Sequence, residues 1–146
     1  MKAETLPTIS LVERVLFLRK VSLFAELAPS DLKQIAGLAR EEQHVEGAVI
    51  GREGEVGDRL FVIAAGSVRV ETGARVIARR STGDVIGEMS VVTDIPRIAS
   101  LVCEGDVRVL AIGRRDFDAI LRDRPQVAHA IIRVLSARLA EQQKAA

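Results

Sequence analysis

Residues 87–100 read Gly-Glu-Met-Ser-Val-Val-Thr-Asp-Ile-Pro-Arg-Ile-Ala-Ser, with Glu88 and Arg97 nine positions apart. A carboxylate accepts hydrogen bonds from hydroxyls. A guanidinium offers planar, paired donors to the oxygens of an anion. Residues 87–91 are expected to form a single helical turn, whose first N–H groups lack carbonyl partners and can point at the same anion. Gly87 lets the backbone approach a ligand with no Cβ in the way. Taken together, these groups suit a small sugar phosphate. Taken only as a Glu and an Arg nine residues apart, the two could equally form a structural ion pair.

Other chemistries find little support in the chain. His44 and His129 are the only histidines, 85 positions apart, and no His-x-His occurs. A metal-dependent enzyme on a jelly-roll barrel needs a cluster of His and Glu ligands on neighbouring strands, so no metal site is expected. No Ser-His-Asp or Cys-His constellation is evident, and the chain is read as a non-enzyme. Gly51, Gly54 and Gly57 form a turn signature; no Lys-Ser/Thr follows to make a phosphate loop. Cys103 is the sole cysteine. It excludes an internal disulfide and a thiolate cluster, fits a buried small hydrophobe, and is compatible with a reducing cytoplasm.

The 146 residues carry 21 basic and 20 acidic side chains, net +1. That balance provides no basic field for duplex DNA or RNA, so this chain alone is not expected to bind nucleic acid. With four Phe and neither Trp nor Tyr, the core must rest on Val, Ile, Leu and Ala. No signal peptide is recognised. The apolar stretch Ile9–Val21 is short and interrupted by Glu13, Arg14, Arg19 and Lys20, so no transmembrane segment is expected.

The elements that must position Glu88 and Arg97 fall into three zones of one domain. Residues 1–40 read as helical and packed on the same domain. Ile9, Val12, Val15, Leu16 and Arg19 keep helical spacing, Leu11 and Leu18 widen the stripe, and a break falls near Ser22 to Pro29. Pro29 opens a second helix with Asp31 in its first turn and Leu32, Ile35, Ala36 and Ala39 buried; Ala28 is a poor cap, so fraying is expected. Residues 41–113 are cut by glycines into short strands, with Thr72-Gly73-Ala74 a hairpin turn, as in a sandwich or barrel. Valines 68 and 70 point to one side, Ser67, Arg69 and Glu71 to the other. Asp58 and Asp84 are assigned to turns. Residues 114–146 return to helix: a short one over 116–122, then one opened by Pro125 and running towards Gln143. Its stripe is Val127, Ala130, Ile131, Val134, Leu135 and Leu139.

The chain resembles the cyclic nucleotide-binding domain over nearly its whole length. The match runs through Leu23-Phe24-Ala25-Glu26-Leu27, Asp31-Leu32, Gly47-Ala48-Val49-Ile50 and the stretch from Glu53 to Ile63. It continues with Gly66-Ser67-Val68 and is strongest in Gly87-Glu88-Met89-Ser90 and Pro96-Arg97-Ile98-Ala99-Ser100. The fold implied is α+β, mainly β: an eight-stranded antiparallel jelly-roll barrel flanked by N-terminal and C-terminal helices. The resemblance implies that Glu88 accepts from the ribose 2′-hydroxyl and Arg97 pairs with the cyclic phosphate. Gly87, Met89, Ser90, Ile98 and Ala99 would stand around them. The base would lie against Val70, Ile77, Val85 and Ile86, with Gln142 or Gln143 near the adenine edge. Relatives that prefer cGMP tend to carry Thr or Ser where this chain has Ile98, so the lean is to cAMP, with cGMP also accommodated. The function implied is a cytoplasmic regulatory module and reversible cAMP sensor. It would signal to an effector domain, in the same or another chain, by movement of its C-terminal helix, which could also pair two copies as a homodimer. The alternative is a structural or dimerisation module with a non-binding pocket.

Overall fold

The computed structural model describes residues 8–145, so positions 1–7 and 146 of the expected helical zones lie outside it. Helix α1 (Leu11–Leu18), a 3-10 turn (Ser22–Phe24) and α2 (Pro29–Leu38) lead into the strands. These are β1 (Arg40–His44), β2 (Val49–Gly51), β3 (Arg59–Thr72), β4 (Arg75–Ser81), β5 (Val85–Ile86) and β6 (Ser100–Gly113), with the short α3 (Met89–Val92) before the last. Helices α4 (Arg114–Asp123) and α5 (Pro125–Ala145) follow.

Every pairing is antiparallel, and β6 is the spine: it pairs with β1, β2 and β3, while β3 also pairs with β4 and β5. Among the described residues six strands are formed where eight were expected. β3 and β6 are each 14 residues long, and their shared register shifts twice between Ile63 and Ser67. A bulge bends a strand without ending it, so one long strand turns the corner that would otherwise divide two. The Thr72–Arg75 pair closes β3 and β4 through Gly73 and Ala74. Gly73 holds φ +62, a value that glycine adopts without a Cβ clash.

The apolar run Leu60–Ile63 has both faces buried, which explains why it does not alternate. Leu60 and Val62 join a cluster with Phe24, Leu32, Ile35, Phe117, Ile120 and Val127 under the helices. Phe61 and Ile63 join a second cluster inside the sheet with Val68, Leu101, Cys103 and Val109. Cys103 is wholly buried, and burial pushes its thiol pKa up. Asp84 serves its turn, its Oδ2 accepting from Ser81 N at 2.8 Å.

Two expectations for the leading helices change. The buried face of α1 centres on Leu18, with Ile9, Val15 and Phe17 partly packed, whereas Leu11, Val12 and Leu16 are exposed. Contacts run along one narrow side of the helix, where Ile9 N donates to Glu41 at 2.9 Å, Arg14 Nη1 donates to Ala39 O at 2.7 Å and Leu18 is buried, so the covered side is narrower than the apolar stripe. Asp31 does more than favour the α2 dipole. It is 1 % exposed, pairs with Arg124 at the α4–α5 break, and accepts from Gln126 Nε2 at 3.3 Å. This pair ties the N-terminal helices to the start of α5. Arg124 retains partial access to water, which limits the penalty for losing its partner. Asp31→Ala is therefore expected to destabilise the domain by about 2 kcal/mol, read as a lower urea midpoint. A midpoint equal to the parent's would show that the pair holds nothing.

Candidate functional site

One cavity of about 390 Å³ opens between the sheet and α5. β3 contributes Val70, β5 contributes Val85 and Ile86, and β6 contributes Leu101. From β4 come Ile77 and Ala78, two consecutive residues that regular alternation would send to opposite faces. The register shifts between Val70 and Glu71, which face Ala78 and Val76, so Ile77 is the extra residue of a bulge and turns to the cavity as well. Gly87, Glu88, Met89 and Ser90 line the side formed by the turn into α3, and Arg97, Ile98 and Ala99 the loop that returns to β6. Gln142 reaches the mouth from α5; Gln143 is exposed and does not line it. Apart from Gln143, the structure thus brings the residues expected around the ligand to line one space.

Arg97 is 9 % exposed. Its backbone is clamped on both sides: Arg97 N donates to Glu55 O at 2.8 Å, and Gly54 N donates to Arg97 O at 2.8 Å. The guanidinium rests in a cradle of glycines. A Cβ at Gly51, Gly57 or Gly87 would come within 2.9, 2.9 and 2.8 Å of it respectively. Nη2 donates to Arg59 O at 3.2 Å, and Cζ lies 5.9 Å from the Phe61 ring centre. Among the described residues no carboxylate oxygen lies within 4.0 Å of it, so the structural ion pair with Glu88 is not formed. Burial lowers the Arg97 pKa; Asp58 and Glu55 oppose this, and Arg59 adds to it. A buried cation with one neutral hydrogen-bond partner carries a desolvation cost that an anion entering the cavity would offset.

Glu88 faces the same cavity from the start of α3, and its nearest cation is Arg138 of α5, at 3.9 Å. Arg138 also donates from Nη2 to Ser22 Oγ at 2.9 Å. Four residues on, one helical turn, is Gln142. Helix α5 therefore lies along the cavity mouth, touching the carboxylate on one side and the N-terminal 3-10 turn on the other. Of its expected stripe, Val127, Ala130 and Ile131 are buried, Val134 and Leu135 partly so, and Leu139 is exposed.

The sequence profile described as the cyclic nucleotide-binding domain matches residues 41–124. The chain belongs to this family. The cyclic AMP receptor protein of Thermus thermophilus is 33 % identical to it over 124 residues, a match covering 82 % of this chain and 57 % of that protein. A cAMP-dependent protein kinase regulatory subunit of Colletotrichum orbiculare is 32 % identical over 107 residues, covering 72 % of this chain and 27 % of that one. The chain thus spans little more than half of the one relative and about a quarter of the other. Among solved structures, the N-terminal domain of a transcriptional regulator from Streptomyces coelicolor A3(2) superposes with a TM-score of 0.75 at 30 % identity, covering 88 % of this chain and 94 % of that one.

This cyclic nucleotide-binding domain carries cavity residues that sequence reading left out. Leu101 and Ala78 extend the apolar wall, Ile95 and Pro96 form part of the rim, and Arg80 brings a second cation. Ile95 and Pro96 lie inside the motif and could have been read from it. Ala78 and Arg80 carried no local signal, because their place depends on the bulge in β4, and Leu101 comes to the wall through its pairing with Val70 of β3. Among the described residues no group of His, Cys, Asp or Glu could hold a metal, and no helix is long and apolar enough to cross a membrane.

Proposed function

We propose that the chain is a cytoplasmic regulatory module that binds a cyclic purine nucleotide, cAMP on the strength of Ile98, and reports it by moving α5. The observation that carries this reading is Arg97, buried, with no carboxylate within 4.0 Å among the described residues, and lining the cavity that Glu88 also lines. The phosphate would sit on Arg97 and the N–H groups entering α3, the ribose hydroxyl on Glu88, and the base against Val70, Ile77, Val85 and Ile86. Relatives whose names include cAMP point to the same ligand class.

Signalling needs a ligand to distinguish two positions of α5. Glu88 supplies a means, because the carboxylate that would receive the ribose hydroxyl faces Arg138 on that helix. Occupancy would change the balance of contacts holding α5 at the mouth. The proposed partners are an effector domain, in this or another chain, and a second copy of the chain. Ile132 and Leu139 of α5 are exposed and seven residues apart, the repeat of a helix seam.

Thermal melting with cAMP and with cGMP tests the reading. A ligand bound only to the folded state raises the melting temperature, so a rise that grows with nucleotide concentration is expected. An unchanged melting temperature at about 1 mM of either nucleotide would overturn it in favour of a non-binding structural module.

A further inference from the structure

We propose that Arg80 reads the base edge of the bound nucleotide and makes cGMP a ligand of this site alongside cAMP. The inference rests on the proposed reading of the cavity and names the residue that chooses between purines.

Arg80 of β4 stands opposite Val68 of β3, which in turn stands opposite Cys103 of β6. In the next row Ala78 faces Val70, and Val70 faces Leu101. Directly opposed residues of an antiparallel sheet share a face. Val68 and Cys103 are wholly buried inside the sheet, so Arg80 springs from that concave face, beside the apolar wall proposed for the base. The opposite face of the same strands is arranged differently. There Arg69 and Arg79 are each matched by an acid: Arg69 Nε to Glu71 at 2.8 Å, and Arg79 Nε to Glu104 at 3.0 Å. Arg80 has no such match. Its Nη1 donates to the carbonyl of Arg79 at 3.2 Å, and among the described residues no carboxylate lies within 4.0 Å.

The cavity therefore holds two cations with different surroundings. Arg97 is buried among glycines beside the α3 turn, where a phosphate fits. Arg80 is exposed at the end of a flat apolar wall, where the edge of a stacked base would emerge. Guanine presents N7 and O6, two adjacent acceptors that match the paired N–H groups of a guanidinium. Adenine presents N7 beside the N6 amino group, so one arginine N–H would face another donor. A glutamine carboxamide has the reverse preference, since it pairs with adenine N7 and N6. Ile98 withholds the hydroxyl associated with cGMP preference, and Arg80 acts in the opposite direction.

The test is calorimetric titration of the full chain, Arg80→Ala and Arg80→Gln with cAMP and with cGMP. Arg80→Ala is expected to weaken cGMP roughly tenfold and to leave cAMP within about twofold; Arg80→Gln is expected to shift the ratio further towards cAMP. Melting temperatures of the free variants should equal the parent's, because the side chain is exposed. Equal changes for both nucleotides, or no change in either, would overturn the assignment. If the parent chain binds neither nucleotide, its own titration shows that the reading of the cavity has failed, and this inference with it.

Discussion

Arg97→Ala is expected to abolish measurable nucleotide binding while the chain stays folded. The guanidinium is buried, has Arg59 O as its hydrogen-bond partner, and is held below its ordinary pKa by burial. Its charge is thus poorly compensated until an anion arrives. Two charge-assisted hydrogen bonds to a phosphate would contribute about 3–6 kcal/mol, a loss of roughly a hundredfold to ten-thousandfold in affinity when they are removed. The free protein should be far less affected. Truncation removes one hydrogen bond to a carbonyl, about 1 kcal/mol, and relieves the desolvated charge at the same time. Arg97→Lys should fall between, since it keeps a charge and loses the planar fork. Glu88→Ala should weaken binding only about tenfold, because it removes a bond to a hydroxyl and leaves the phosphate contacts in place. Calorimetry with cAMP reads all three. An Arg97→Ala variant that binds like the parent would refute the placing of the phosphate.

Gly57→Ala is the second large effect, and it acts through space. A Cβ there would overlap the Ser90 side chain and stand 2.9 Å from Arg97 Cζ. Both neighbours line the cavity, and the new methyl can be accommodated only by displacing them. Overpacking of this kind costs about 1–3 kcal/mol of stability, and here the group displaced is the anion's own partner. Affinity and urea midpoint should therefore fall together. Gly54→Ala makes the contrast. Gly54 holds φ +86, and nothing lies within 4 Å of the place its methyl would take, so that variant meets backbone strain of about 1 kcal/mol and no collision. It should lose stability and bind cAMP nearly as well. Wild-type affinity in Gly57→Ala would show that the glycine cradle does not hold Arg97 in place.

The parts of the fold that could be read in advance were those governed by neighbours in sequence. Pro29 and Pro125 start helices because a fixed φ and a missing N–H suit a first helical residue. Gly73 marks the hairpin because its φ is positive. Val68 and Val70 lie towards the interior because strands alternate. The Gly87–Arg97 segment was legible for a similar reason: its donors and acceptors lie within a dozen residues, joined by one short helix and one loop. The covered face of α1 was not legible, because periodicity defines a stripe without saying how much of it another element covers. Val12 and Leu16 fit the spacing and stay exposed.

The sequence by itself determined the residue types, the order of the elements and the presence of a carboxylate and a guanidinium at opposite ends of one motif. Backbone dihedral preferences and side-chain alternation act over a few residues, so the chain states them openly. Only the tertiary structure decided that, among the described residues, no carboxylate comes within 4.0 Å of the Arg97 guanidinium, that a bulge turns Ile77 inward with Ala78, and that Arg138 and Gln142 come to the cavity mouth. It also decided that Asp31 meets Arg124, 93 residues away. Burial and the choice of ionic partner depend on what distant segments bring into contact, and no local pattern records that.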